Sequence, residues 1–183
     1  MDRRELLKVM ALALGCSVSL PESAFAKLAE PLDPSTLKFF SAAQRELVAL
    51  LAETIIPKTD TPGAIDAGVP ASLELLAQDC LDPADQRILL DGLGVVEARA
   101  AVGSGRSFAQ RTVAERIELL TAMEQEAKQA GHSKAFIRQF KELTKFCFVH
   151  SEIGATQAFE FNMVPGRWEP AAELKPGQKA SSI

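Results

Sequence analysis

The 183-residue chain has no tyrosine, one tryptophan, two histidines and three cysteines, and aromatic residues make up only 6% of it. So few ligating side chains leave little material for a metal centre. His132 and His150 have no second histidine at ligand spacing, and the nearest acid, Glu152, is two residues from His150, where helical side chains diverge. His150-Ser151-Glu152 contains a base, a nucleophile and an acid, but catalytic triads assemble in space rather than from adjacent residues. Gly103-Ser104-Gly105-Arg106 lacks the Lys-Ser/Thr ending of a phosphate loop, and Gly92-x-Gly94 lacks the third glycine and the βαβ setting of a dinucleotide fingerprint. Glu124 and Glu126 read as a solvated helix face. No catalytic residue, metal ligand or cofactor-binding residue is therefore assigned to this chain. Basic residues are spread among acidic ones, with a formal net charge of −4, which argues against nucleic acid as a partner. Beyond the first segment, no stretch has the roughly 18 consecutive apolar residues of a membrane-spanning helix.

What is present begins at the N-terminus. Arg3-Arg4 is followed by Glu5, Leu6-Leu7 and Lys8, then by the apolar run Val9 to Leu14, and Ala24-Phe25-Ala26 supplies a small-x-small cleavage site. This order reads as a twin-arginine export signal over residues 1–26, although Asp2 and Leu6 depart from the usual Ser/Thr and Phe. Cys16, after Leu14-Gly15, resembles a lipoprotein acylation site, but Ala13 sits where such a site prefers Leu. The twin-arginine route carries proteins already folded, often around a cofactor. An export signal for loaded cargo on a chain with no cofactor site points to a partner as the cargo, and the expected location is the periplasm.

After cleavage the chain runs from Lys27 to Ile183, one domain's worth of residues. The leader holds three basic and three acidic side chains (Arg3, Arg4, Lys8; Asp2, Glu5, Glu22), so its removal leaves the net charge unchanged. Cys80 and Cys147 remain. The periplasm permits a disulfide between them, or from one of them to another chain, and both can equally be free thiols. The apolar string Phe146-Cys147-Phe148-Val149 favours a buried free thiol at Cys147.

Periodicity indicates helix almost throughout, with no alternating β-branched run. Ser41 and Gln44 form a capping box for a helix with Leu47, Val48, Leu50, Leu51 and Ile55 on one face, ended by Pro57. Pro70 suits the first turn of a second helix reaching about Cys80, and Asp82-Pro83-Ala84-Asp85 opens a third that runs to about Ala101. Gly92 and Gly94 weaken that helix by roughly 1 kcal/mol each relative to Ala, and mark either a close helix crossing or a kink. Thr112 and Glu115 cap a fourth helix that Gly131 ends. Ser133 starts a fifth, with Phe136, Ile137, Phe140, Leu143 and Phe146 to Val149 inward. A short last helix is expected over Ile153 to Phe161. The expected architecture is an all-α, single-domain bundle of five to seven helices over residues 27–175, with a flexible polar tail at 176–183.

Two segments are unusual for a plain bundle: the loop from Ile56 to Val69, and Ser151-Glu152-Ile153-Gly154-Ala155 running on to Val164-Pro165-Gly166-Arg167-Trp168. Tryptophan and arginine are over-represented among interface hot spots. Pro62, Gly63, Asp66, Pro165, Gly166, Arg167 and Trp168 are thus candidates for partner contact, while Trp168 can equally clasp the tail onto the bundle.

Several of these pieces together resemble the gluconate 2-dehydrogenase subunit 3 family. They are the twin-arginine leader, Glu53-Thr54-Ile55-Ile56-Pro57, Asp60-Thr61-Pro62-Gly63-Ala64 with Asp66-Ala67-Gly68-Val69, Phe108, Ser151-Glu152-Ile153-Gly154 and Val164-Pro165-Gly166-Arg167-Trp168. The resemblance spans roughly Leu37 to Glu169. It implies the non-catalytic small subunit of a periplasmic dehydrogenase complex at the inner membrane. In such complexes a large subunit of the glucose–methanol–choline type holds FAD and oxidises a sugar, sugar acid or alcohol. A membrane-bound cytochrome c subunit, carrying haem c, commonly takes the electrons. The small subunit aids folding of the large one and brings it to the twin-arginine translocase. The competing expectation is a periplasmic helical binding protein that acts alone.

Overall fold

A computed structural model describes residues 36–103, 105–131, 135–161, 166 and 176–182, all within the unit Pro34–Ile183. The leader residues Arg3, Arg4, Cys16, Ala24 and Ala26 lie outside the described residues, as do His132, Ser133, Pro165, Arg167 and Trp168.

Helix α1 spans Ala42–Ile55 and opens on the expected capping box. The Gln44 N–H donates to Ser41 Oγ at 3.3 Å, and the Ser41 N–H donates to Gln44 Oε1 at 2.9 Å. Leu47, Val48, Leu51 and Ala52 face inward, while Leu50 and Ile55 are half-buried against the core. Pro57 disfavours a helical Ile56, whose φ of −126° and ψ of 84° lie outside the helical region, and the helix stops there. Helix α2, Val69–Asp79, starts from Gly68, whose φ of 68° suits a residue without a Cβ. Helix α3, Pro83–Ala101, is capped by Asp82, whose carboxylate accepts from the Ala84 and Asp85 amides at 2.9 and 2.8 Å.

A 3-10 turn over Phe108–Gln110 leads into helix α4, Val113–Gln129. Phe108 is wholly buried, and the Arg116 guanidinium lies 5.6 Å from its ring centre. Arg111 donates to the Ala100 carbonyl at 2.9 and 2.6 Å, satisfying a backbone oxygen left over at the end of α3. At the start of α4, the Thr112 backbone and hydroxyl hydrogen bonds and Arg106 together hold the Glu115 carboxyl down at about 2.

Helix α5, Phe136–Val149, is the centre of the bundle and packs on all four others. It begins after Ala135 with no side-chain cap. Its buried residues are Phe136, Ile137, Phe140, Thr144, Cys147 and Phe148. Gly92 marks a close crossing rather than a kink: a Cβ there would lie 2.1 Å from the Phe136 ring. Gly94 faces open space. The fold is all-α, as the pattern of apolar residues requires.

Two local expectations change. Phe146, placed inward with its neighbours, is 51% exposed. A 14-residue amphipathic helix buries one stripe, and Cys147 and Phe148 occupy it at this level. The helix expected over Ile153 to Phe161 is a π-type turn over Gly154–Ala158, closed by the Phe159 N–H donating to the Gly154 carbonyl at 3.2 Å. Beyond it, Glu160–Phe161 (β1) pairs in parallel with Ser181–Ser182 (β2), and the Glu160 N–H donates to the Ala180 carbonyl at 2.8 Å. Two residues per strand are too few for an alternating pattern to announce.

Candidate functional site

The loop between α1 and α2 is organised by one carboxylate. Glu53, in the last turn of α1, accepts the Lys58 N–H at Oε1 and the Ile65 N–H at Oε2, each at 2.9 Å. It thereby staples both arms of the loop to the helix end. Gly63 is buried beneath this carboxylate, and a Cβ there would stand 2.3 Å from Glu53 Oε1 and 2.7 Å from the Lys58 nitrogen. Backbone bonds complete the frame. Ala64 N–H donates to the Ile56 carbonyl at 2.9 Å, Val69 N–H to Ala64 at 3.0 Å and Ala67 N–H to Gly63 at 3.1 Å. Ala64, Ala67 and Val69 are plugged into the core.

This frame sorts the loop's candidate contact residues. Gly63 is structural and internal, and Pro62 is half-buried. Asp66 is at the surface, ion-paired with Lys58 Nζ at 2.9 Å; an exposed pair of this kind adds little stability. Beside it Ile65 is 49% exposed. Pro57, Lys58, Thr59, Asp60, Ile65 and Asp66 therefore form a relief of fixed shape, which needs little ordering on contact with another surface.

The second candidate segment begins where α5 ends. The Ser151 hydroxyl donates to the Phe148 carbonyl at 2.7 Å and accepts the Gly154 N–H at 2.9 Å. Gly154 must be glycine, because a Cβ would fall 1.9 Å from the Phe148 oxygen. His150 and Phe146 stack with ring centres 4.1 Å apart, and His150 Nδ1 is 2.8 Å from the Phe146 carbonyl oxygen. Ser151 thus serves the backbone turn and His150 serves the exposed Phe146, and the two side chains do not meet as base and nucleophile. Gly166, with φ of 74°, occupies the left-handed region at the middle of Val164-Pro165-Gly166-Arg167-Trp168.

The two cysteines among the described residues are free thiols. Cys80 is exposed just after α2 and Cys147 is buried in α5. The possible bridge between them is not formed, and burial pushes the Cys147 thiol up to about 11. Among the described residues, no three His, Cys, Asp or Glu side chains gather to hold a metal ion. No described helix is long and apolar enough to cross a membrane. A cleft of about 240 Å³ lies between α1 and α2, bounded by Leu37, Phe40, Val48, Pro70 and Ala71 with Arg45 and Glu74 beside them.

Pattern reading gives Glu53 and Glu74 no structural role and places Phe146 in the core. Glu53 could have been suspected as an acid at the end of a proline-terminated helix, ahead of a loop full of unpaired amides. Glu74 could have been suspected as the lone charge in Leu73-Glu74-Leu75-Leu76. Nothing in the local sequence separates Phe146 from Phe148.

The arrangement is that of a helical scaffold with a stapled loop after its first helix and an exposed aromatic near the end of its central one. The family model for gluconate 2-dehydrogenase subunit 3 matches residues 42–166, and the chain belongs to that family. Membership makes it a subunit of a dehydrogenase complex, in which other subunits take part. No curated protein and no solved structure matches the chain.

Proposed function

We propose that this chain is the non-catalytic small subunit of an FAD-dependent dehydrogenase complex. It binds a large flavin subunit of the glucose–methanol–choline type, aids its folding and brings it through the twin-arginine translocase. The observation that carries the reading is a pairing within one chain. Arg3-Arg4 with its apolar run precedes a domain of a dehydrogenase-subunit family, matched from residue 42 to 166. The flavin, and with it the oxidation of a sugar, sugar acid or alcohol, belongs to the large subunit. A membrane-bound cytochrome c subunit, with haem c, receives the electrons in the periplasm and ties the complex to the inner membrane.

The stapled loop of Pro57 to Asp66 and the Phe146–His150 end of α5 are the contact surfaces in this reading, and Arg167 and Trp168 are further candidates on their residue type alone. A complex that survives translocation buries at least about 1,200 Å² in total. One experiment tests the carrier role: Arg3 and Arg4 are both replaced by Lys, and the large subunit is followed. Retention of the flavin subunit in the cytoplasm is expected. Its arrival in the periplasm in normal amount would overturn the reading. Purification of the unaltered complex should yield a yellow partner of one-to-one stoichiometry, whereas a chain recovered alone in active form would favour a stand-alone binding protein.

A further inference from the structure

Glu74 is the only charged side chain buried among the described residues, at 2% exposure. It sits on the apolar face of α2, between Leu73 and Ala77. Its partners come from two other places in the chain. Arg45, in the first turn of α1, donates from Nε to Oε2 at 2.7 Å and from Nη2 to Oε1 at 2.9 Å. The Phe40 N–H, ahead of α1, donates to Oε1 at 3.0 Å. Arg45 Nη2 also donates to the Leu37 carbonyl at 2.6 Å, and the Lys38 N–H donates to Gln78 Oε1 on α2 at 3.0 Å. The Leu37 and Phe40 side chains are both buried. Burial is the largest influence on Glu74 and pushes its carboxyl up. The Arg45 and Phe40 hydrogen bonds and the Arg45 charge together outweigh it and hold the group below its ordinary value.

A buried ion pair is weak support for stability, because desolvation offsets most of its attraction. What this pair supplies is a condition. Its bonds to Glu74 need α1 and the segment before it seated on α2; Arg45 in turn holds the Leu37 carbonyl, and the product is a pinned backbone at Leu37 to Phe40. We propose that Arg45 and Glu74 are a positioning latch: they fix the segment just before α1 only when the first two helices are packed. Resting on the export reading above, the latch ties presentation of the Arg3-Arg4 leader to a folded domain.

Amide hydrogen exchange on the full chain in its complex tests the latch without reference to export. The variants are Glu74→Gln, which removes the charge at constant shape, and Arg45→Lys, which keeps the charge but cannot make the fork. In both, the Phe40 amide is expected to exchange about tenfold faster or more, the equivalent of one charge-assisted hydrogen bond. The amides of Leu51 and Leu73 should keep their protection. Unchanged Phe40 protection would overturn the latch. So would a fall at Phe40 in step with Leu51 and Leu73, because Glu74 would then only support the whole fold. Export is read separately, beside the chain with Arg3 and Arg4 both changed to Lys. That chain should stay in the cytoplasm with Phe40 protected, and its export would sink the route while leaving the latch intact. Open latch variants should be exported less than the unaltered chain, and equal export would overturn the coupling.

Discussion

Glu53 Oε1 and Gly63 are fitted to one another: the carboxylate fills the space that a side chain at residue 63 would need, 2.3 Å from where its Cβ would be. The relation explains why a helix ending in Glu-Thr-Ile-Ile-Pro and a loop containing Thr-Pro-Gly-Ala occur in one chain. The acid at the helix end needs the loop's amides at Lys58 and Ile65, and the loop needs the glycine to bring those amides in.

Gly63→Ala should therefore destabilise the protein by about 1–3 kcal/mol, the usual cost of overpacking. The Glu53 carboxylate can swing aside, but the Lys58 nitrogen is backbone and must shift with the loop. Glu53→Gln keeps the size and loses one of two acceptors, at a cost of about 1–2 kcal/mol. Urea unfolding measures both. Under the proposed function, both should also lower recovery of the flavin subunit, with Gly63→Ala the more damaging. A Gly63→Ala protein as stable as the parent would contradict the geometry.

The two glycines of α3 should respond with opposite signs. Gly92→Ala drives a methyl to within 2.1 Å of the Phe136 ring, at the crossing of α3 and α5. A loss of about 1–3 kcal/mol is expected, more if Phe136 cannot turn. Gly94→Ala meets nothing within 4 Å, and gains about 0.5–1 kcal/mol from helix propensity. Paired thermal melts decide: equal shifts for the two variants would mean that the crossing is looser than described.

That contrast also shows what the chain discloses by inspection. The capping boxes at Ser41 and Thr112, the Asp82 cap and the stops at Pro57 and Gly131 are local chemistry, so reading them needs only a few neighbouring residues. The core stripe of α1 follows from a period of 3.6. Gly92 and Gly94 look alike in sequence because their difference lies in Phe136, more than 40 residues away. The roles of Glu53 and Glu74 are hidden for a related reason: Glu53 acts on the Lys58 and Ile65 amides, Glu74 on the Arg45 guanidinium and the Phe40 amide, and nothing in the neighbouring letters announces either set of partners. Phe146 reads as core because an apolar run does not say which of its members the helix turns outward.

Acid should weaken the start of α4 in a defined window. Glu115 has its carboxyl held at about 2, against an ordinary value of 4.5, by Thr112 hydrogen bonds first and Arg106 next. A depressed folded value means that the stabilisation is complete above the ordinary value and is lost as pH falls from about 5 towards 2. Glu115→Gln still satisfies a capping box, so it removes the charge without removing the cap. The urea midpoint of the parent should fall across this window more steeply than that of the variant. Parallel curves would show that the Glu115 charge does not matter to folding.

The thiols offer a direct probe of the packing of α5. Cys80 is exposed and should react readily with a maleimide. Cys147 is only 4% exposed, and burial holds its thiol at about 11, so little of the reactive thiolate forms. Its labelling must wait for opening of the helix bundle, which makes its rate a measure of that opening. Mass spectrometry of the native protein should thus show Cys80 modified, and Cys147 modified only when denaturant is added. If the flavin subunit covers the end of α2, Cys80 will be protected in the complex and reactive in the free chain. That places one edge of the interface with a single reagent. Equal labelling of Cys80 and Cys147 in the native chain would show that α5 is not the closed centre of the bundle.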